Sequence, residues 1–105
     1  MENQIDVVIV TFNPDFKILN RCINSIEENI NITIVDNSSN LKIENISECK
    51  NKKIRIINNK NTGNGDGINI GVDSSNAKYI LYLDVDTELP ENFFKEIIYY
   101  AKKMK

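Results

Sequence analysis

The chain has 105 residues, enough for one domain around a single core. Its 41% hydrophobic and 27% charged content is ordinary for a globular protein, and thirteen basic against fifteen acidic residues give a formal net charge of -2. Basic side chains gather only at Lys102, Lys103 and Lys105, which leaves nucleic acid without an electrostatic footprint as a main partner.

The first residues, Met-Glu-Asn-Gln, are acidic and polar, and no apolar run approaches the ~20 residues of a membrane span, so neither a signal peptide nor a transmembrane segment is expected. Ile5 to Phe12 is almost continuously apolar and β-branched, the pattern of a strand covered on both faces in a parallel sheet. Pro14 then opens a helical stretch with Phe16, Leu19, Ile23 and Ile26 on one face. Asn31 to Val35 predicts a second strand, ending at Asp36-Asn37-Ser38-Ser39. Leu41 to Cys49 is weakly helical at best. Ile54 to Ile57 predicts a third strand, ending at Asn58-Asn59.

All four glycines, Gly63, Gly65, Gly67 and Gly71, fall within nine residues and read as a cradle in which backbone can approach a ligand, leading into a helix over Gly67 to Asn76. Tyr79 to Leu83 predicts a fourth strand, running into Asp84-Val85-Asp86. A last helix begins at Pro90, with Glu91 and Glu96 early and the lysines late, and an apolar stripe of Phe93, Phe94, Ile97, Ile98 and Ala101. Tyr79, Tyr82, Tyr99, Tyr100, Phe93 and Phe94 are expected to pack instead of forming a base-stacking platform.

Strands alternating with helices predict an α/β fold, an open, mostly parallel, Rossmann-like sheet of about four strands. The polar residues that end those strands, Asn13, Asp36, Asn58, Asp84 and Asp86, would then share one edge, where such sheets bind ligands. Strand alternation would set Asp84 and Asp86 on one side with Val85 turned inward, so that both carboxylates could face one divalent ion. There is no histidine and no Cys-x-x-Cys, so neither zinc nor a disulfide framework is expected, and a cytoplasmic setting fits. The sequon matches at Asn31, Asn37 and Asn45 read as chance in so asparagine-rich a chain. A calcium loop at Asp84 is set aside because its sixth position is Leu89, where glycine is needed.

Four segments in order carry a resemblance: Val7-Val8-Ile9-Val10-Thr11-Phe12-Asn13, Ile34-Val35-Asp36-Asn37-Ser38-Ser39, the run Asn61 to Gly71, and Leu83-Asp84-Val85-Asp86-Thr87. With them the chain resembles the N-terminal, nucleotide-sugar-binding half of a family 2 glycosyltransferase of the GT-A fold, rhamnosyltransferase-like in flavour. The resemblance implies hexosyl transfer from a UDP- or dTDP-sugar to a glycan acceptor, as in polysaccharide biosynthesis. It implies that Thr11 and Asn13 lie beside the base and that Asp36 bonds the base or ribose. It further implies that Asn61, Gly63 and Asn69 wall the ribose and sugar, and that Asp84 holds the ribose or a metal-bound water. Asp86 would ligate Mg2+ or Mn2+ directly. A position at the inner face of the membrane is compatible with it.

The sequence also departs from the family's pattern. Ile68 stands where many relatives carry a polar residue, and no carboxylate after Asp86 sits where the family's general base is expected. Residues 1–105 therefore read as a single truncated domain without its acceptor-binding half, with little transfer activity of its own, and with an open sheet edge that would favour a homo-oligomer or another chain's cover. Two other readings remain. Gly65-x-Gly67-x-x-x-Gly71 followed by Asp84 resembles a dinucleotide site, although Asp66 would repel a pyrophosphate there. A non-catalytic interaction module on the same fold is the other.

Overall fold

The computed structural model describes residues 5–40, 53–60 and 64–103. Strands β1 (Ile5–Thr11), β2 (Asn31–Asn37), β3 (Ile54–Asn59) and β4 (Tyr79–Leu83) form one sheet in the order β3-β2-β1-β4, with every neighbouring pair parallel. Helices α1 (Phe16–Asn24), α2 (Asn64–Asp73) and α3 (Phe93–Lys103) complete the described fold. The expected open parallel α/β sheet is what the chain forms. Leu41 to Cys49, Asn61 and Gly63 lie outside the described residues.

All seven residues of β1 are buried, because both faces of this central strand are covered. Ile5, Val7 and Ile9 join Leu19, Cys22 and Ile23 of α1, Ile32 and Ile34 of β2, and Phe94 of α3 in one apolar cluster. Val8 and Val10 point the other way and meet α2. The molecule is thus three layers, with α1 and α3 on one face of the sheet and α2 on the other.

α1 starts where Asp15 caps it: Oδ1 accepts from the amides of Lys17 at 2.8 Å and Ile18 at 3.3 Å. Pro14 therefore precedes the cap and does not open the helix itself. Ile26, placed on the helical stripe by its spacing, is buried just past the helix end. β2 and β3 each run two residues beyond their apolar segments, because Asp36 and Asn37 pair in register with Asn58 and Asn59.

The glycine run is the main correction. α2 begins at Asn64, not Gly67, and ends at Asp73, so Gly65, Gly67 and Gly71 are helical. A Cβ on Gly67 would lie 2.8 Å from Val10 Cγ1, and one on Gly71 only 2.5 Å from Val8 Cγ1. These two glycines let the helix backbone lie directly on the valines of β1. Their job is layer packing, and the dinucleotide reading loses its glycine turn, since the glycines lie in a helix that follows β3. Gly71→Ala should destabilise the fold by ~1–3 kcal/mol through overpacking, even though alanine is the better helix former. Urea denaturation would show this, and adding Val8→Ala to the same chain should recover part of the loss; an unchanged midpoint for Gly71→Ala would contradict the packing account.

The end of α2 is held by Arg55 of β3, which donates to the Ser74 carbonyl and hydroxyl, both at 2.8 Å, a cation at a helix C-terminus. α3 begins at Phe93 and not at Pro90, because Asn92 has φ 63°, a left-handed conformation that a helix cannot propagate through. Glu91 consequently lies outside it, while the stripe Phe93, Phe94, Ile97 and Ile98 packs on the core as expected. Tyr99 and Tyr100 do not: they are 55% and 62% exposed. Asp6, buried within β1, bonds Ser75 through Oδ2, and its Oδ1 has no hydrogen-bond partner among the described residues.

Candidate functional site

β1 continues to β2 and then β3 on one side, whereas β4 lies on its other side. The direction of winding therefore reverses between β1 and β4, and the crevice outside the carboxyl ends of the strands at such a switch point is where open α/β sheets bind ligands. Thr11 ends β1 there with Phe12 and Asn13 beyond it, Asp36, next to last in β2, pairs with Thr11 in register, and Asp84 follows β4.

Asp36 is only 4% exposed and is the hub of the β1–β2 side. Its Oδ1 accepts from the Thr11 hydroxyl at 2.6 Å and the Ser39 hydroxyl at 2.5 Å, and Oδ2 accepts from the Ser39 amide at 3.0 Å. Oδ1 is thus filled by protein donors, and spare accepting capacity remains on Oδ2. The Asn13 amide donates to Ser39 Oγ at 2.7 Å, and Asn13 Oδ1 accepts from the Asn40 amide at 2.7 Å. These bonds tie the loop after β1 to the loop after β2. The tie has Asn13 at φ 47°, a left-handed position that asparagine tolerates better than most residues, and Ser38 at φ 62°. Next to Asn13 the ring of Phe12 stands 53% exposed, an apolar face at the crevice.

On the other side, Asp84, Val85, Asp86 and Thr87 form a turn closed by the Thr87 amide donating to the Asp84 carbonyl at 3.0 Å. The carboxylates are therefore presented by a turn and not by strand alternation, because the strand ends at Leu83. Both are exposed, and Val85 packs inward as expected. Beneath the turn the buried Cys22 thiol reaches the Asp84 carbonyl at 3.8 Å. From β4, the Tyr82 hydroxyl donates to Asp84 Oδ1 at 2.9 Å, so Tyr82 is more than the packing residue its spacing suggests. Asn69 is exposed on α2, two residues beyond the buried Gly67.

Among the described residues no three His, Cys, Asp or Glu side chains gather to hold an ion. Two exposed carboxylates, completed by water and phosphate oxygens, nevertheless suit Mg2+ or Mn2+, which rarely use an all-protein cage. Asp84 and Asp86 are the residues that could hold it.

Burial, then the charges of Asp86 and Glu88, push the Cys22 thiol up to about 11. Burial and the bond to Asp84 also raise Tyr82 above its ordinary value. The unfolded Cys22 thiol ionises first, near its ordinary value of 9.0, so this group's contribution to stability is intact below pH 9 and falls away as pH rises toward 11. Stability from chemical denaturation should therefore drop more steeply over that window in the wild type than in Cys22→Ala; equal slopes would show that the thiol does not titrate as its burial dictates.

Ser38, Ser39, Phe12, Tyr82 and Cys22 are site components that spacing did not single out as such. Ser39 and Ser38 had a signal in the Asp-Asn-Ser-Ser turn, and Tyr82 in its place two residues before Asp84, whereas Cys22 had none until α1 brought it to Asp84.

The fold and the placing of these residues define an open, all-parallel α/β domain with its polar groups gathered at the carboxyl edge of the sheet. The glycosyl transferase family 2 model matches residues 6–105, and the chain belongs to that family. It is 32% identical over 104 residues to the dTDP-rhamnosyl transferase RfbF of Shigella flexneri, covering 95% of this chain and 35% of that protein. It is 35% identical over 105 residues to an uncharacterized glycosyltransferase of Methanocaldococcus jannaschii, covering 90% of this chain and 36% of the relative. The chain thus spans about a third of the length of these relatives. Its fold is also similar to about a third of the structure of S. aureus TarS 1-349, with TM-score 0.81 at 17% identity over 98% of this chain and 33% of that one. No helix among the described residues is long and apolar enough to cross a membrane.

Proposed function

We propose that this chain is the donor-binding part of a glycosyltransferase, taking a nucleoside diphosphate sugar for hexosyl transfer to a glycan acceptor. The observation that carries the reading is the meeting of the Thr11–Asp36–Ser39 network and the Asp84-x-Asp86 turn at one crevice of a family 2 chain.

In this reading Phe12 and Asn13 flank the base, Phe12 by stacking, and Oδ2 of Asp36 accepts from the base or ribose while Thr11 braces its other oxygen. Asp84 faces the ribose or a metal-bound water, and Asp86 ligates the ion. A bound Mg2+ or Mn2+ supplies charge neutralisation for the diphosphate leaving group. Asn69, with Asn61 and Gly63, walls the ribose and sugar. RfbF is a dTDP-rhamnosyl transferase, which favours a dTDP-sugar here, with UDP-sugars the alternative. The general base and acceptor site are assigned to the rest of a complete enzyme. β4 is a sheet edge, and either that remainder or a second copy of this chain would cover it. A cytoplasmic position, free or against the inner membrane face, suits the reading.

Calorimetric titration of the chain with UDP and with dTDP, each with manganese and with chelator, tests it. Binding that requires the metal is expected, with the tighter nucleotide naming the base. No binding of either nucleotide would overturn the reading, and metal-independent binding together with NAD binding would point back to a dinucleotide site. Sedimentation of the same sample over a wide concentration range tests the second copy, which a strictly monomeric species would exclude.

A further inference from the structure

Asp84 and Asp86 are neighbours in one turn but are held very differently. The Asp84 carbonyl accepts from the Thr87 amide at 3.0 Å and from the Cys22 thiol at 3.8 Å, and its Oδ1 accepts from the Tyr82 hydroxyl at 2.9 Å. Asp86 is exposed, and its carboxylate has no hydrogen-bond partner among the described residues.

We infer that Tyr82 is a positioning residue for the proposed donor site, its hydroxyl fixing the Asp84 carboxylate so that Oδ2 is the freer oxygen toward nucleotide, water or ion. The inference rests on the reading of the crevice given above and adds a residue to it. Tyr82 lies two residues before Asp84 on β4, where its pairing with Val8 of β1 fixes the backbone that carries the phenol. A tyrosine has only two side-chain torsions, so it holds a carboxylate at little entropic cost. An Asp84 already oriented loses less side-chain freedom when ligand arrives. With one accepting site of Oδ1 taken by Tyr82, Oδ2 is the freer oxygen of Asp84, and Asp86, whose two oxygens accept no bond among the described residues, is the better placed as principal ion ligand. Cys22 and Thr87 hold the same residue at its main chain, so the phenol has a fixed target.

The test is a double-mutant cycle on the whole chain, read by calorimetry with UDP or dTDP plus manganese and by electron paramagnetic resonance with manganese alone. Tyr82→Phe keeps the ring and so should keep the thermal midpoint, while affinity for the metal and nucleotide falls by about tenfold, as for loss of a partner that orients a metal ligand. In the Asp84→Ala background the same Tyr82→Phe change should have no further effect, because its target is gone. Equal losses in both backgrounds would show that the hydroxyl acts elsewhere and would overturn the inference. So would a Tyr82→Phe chain that binds as well as a wild type that itself binds. A wild type that binds neither nucleotide nor manganese removes the donor-site reading, and the inference with it.

Discussion

The Asp86→Asn chain should fold as the wild type does, yet bind a nucleoside diphosphate with manganese at least about 100-fold more weakly. Asp86 is exposed in the turn after β4 and contributes nothing to the apolar cluster, so the substitution should move stability by no more than ~0.5 kcal/mol. The amide keeps the shape but loses the charge and one of two oxygens, and a hard divalent ion is bound by both. A 100-fold loss corresponds to ~2.7 kcal/mol of binding energy. Calorimetry with manganese and with chelator reads it directly. Undiminished, metal-dependent binding would remove Asp86 as the ion's ligand, whereas a loss equal in chelator would mean that the carboxylate meets the nucleotide itself.

Asp36→Ala should have the opposite profile, damaging the fold before the site. Its carboxylate is buried and receives the Thr11 hydroxyl, the Ser39 hydroxyl and the Ser39 amide. Truncation strands those donors in a place water barely reaches, at a cost of ~3–5 kcal/mol. Against a total of ~5–15 kcal/mol for an ordinary domain, that is a large share. Because Ser39 also receives the Asn13 amide, the loops after β1 and β2 should come apart together. Asp36→Asn is the informative companion. It retains an acceptor for Thr11 but turns an amide donor toward the Ser39 N–H, and should lose only ~1–2 kcal/mol. Urea midpoints at constant slope measure both. An Asp36→Ala chain within 1 kcal/mol of wild type, a margin near the worth of one hydrogen bond, would show that the network is ornamental to stability.

How far the sequence reached can be judged element by element. β4 was legible to the residue, and β1 to within one, because both are nearly continuous apolar runs that stop at polar turn residues. The boundaries of β2 and β3 were not, since their last residues are polar and are strands only because each pairs with the other. Asn92 hid the true start of α3 behind a proline that looked like a helix opener. Gly67 and Gly71 misled most: glycine spacing is the same whether a backbone approaches a ligand or a neighbouring strand, and only the valines of β1 decide between them.

By itself, the sequence determined the layer type, the parallel sheet, the edge on which polar strand ends collect, and the family to which its four motifs belong. The first three follow from residue order, because the periodicity of burial and the position of a polar residue at a strand end are local properties, and the family from the resemblance that the motifs carry. The tertiary structure decided which of those residues meet. It spent Thr11 on Asp36 across 25 residues and set Cys22 beneath Asp84 across 62, contacts that exist only once the sheet and α1 have assembled, and it left Asp86 without such a partner among the described residues.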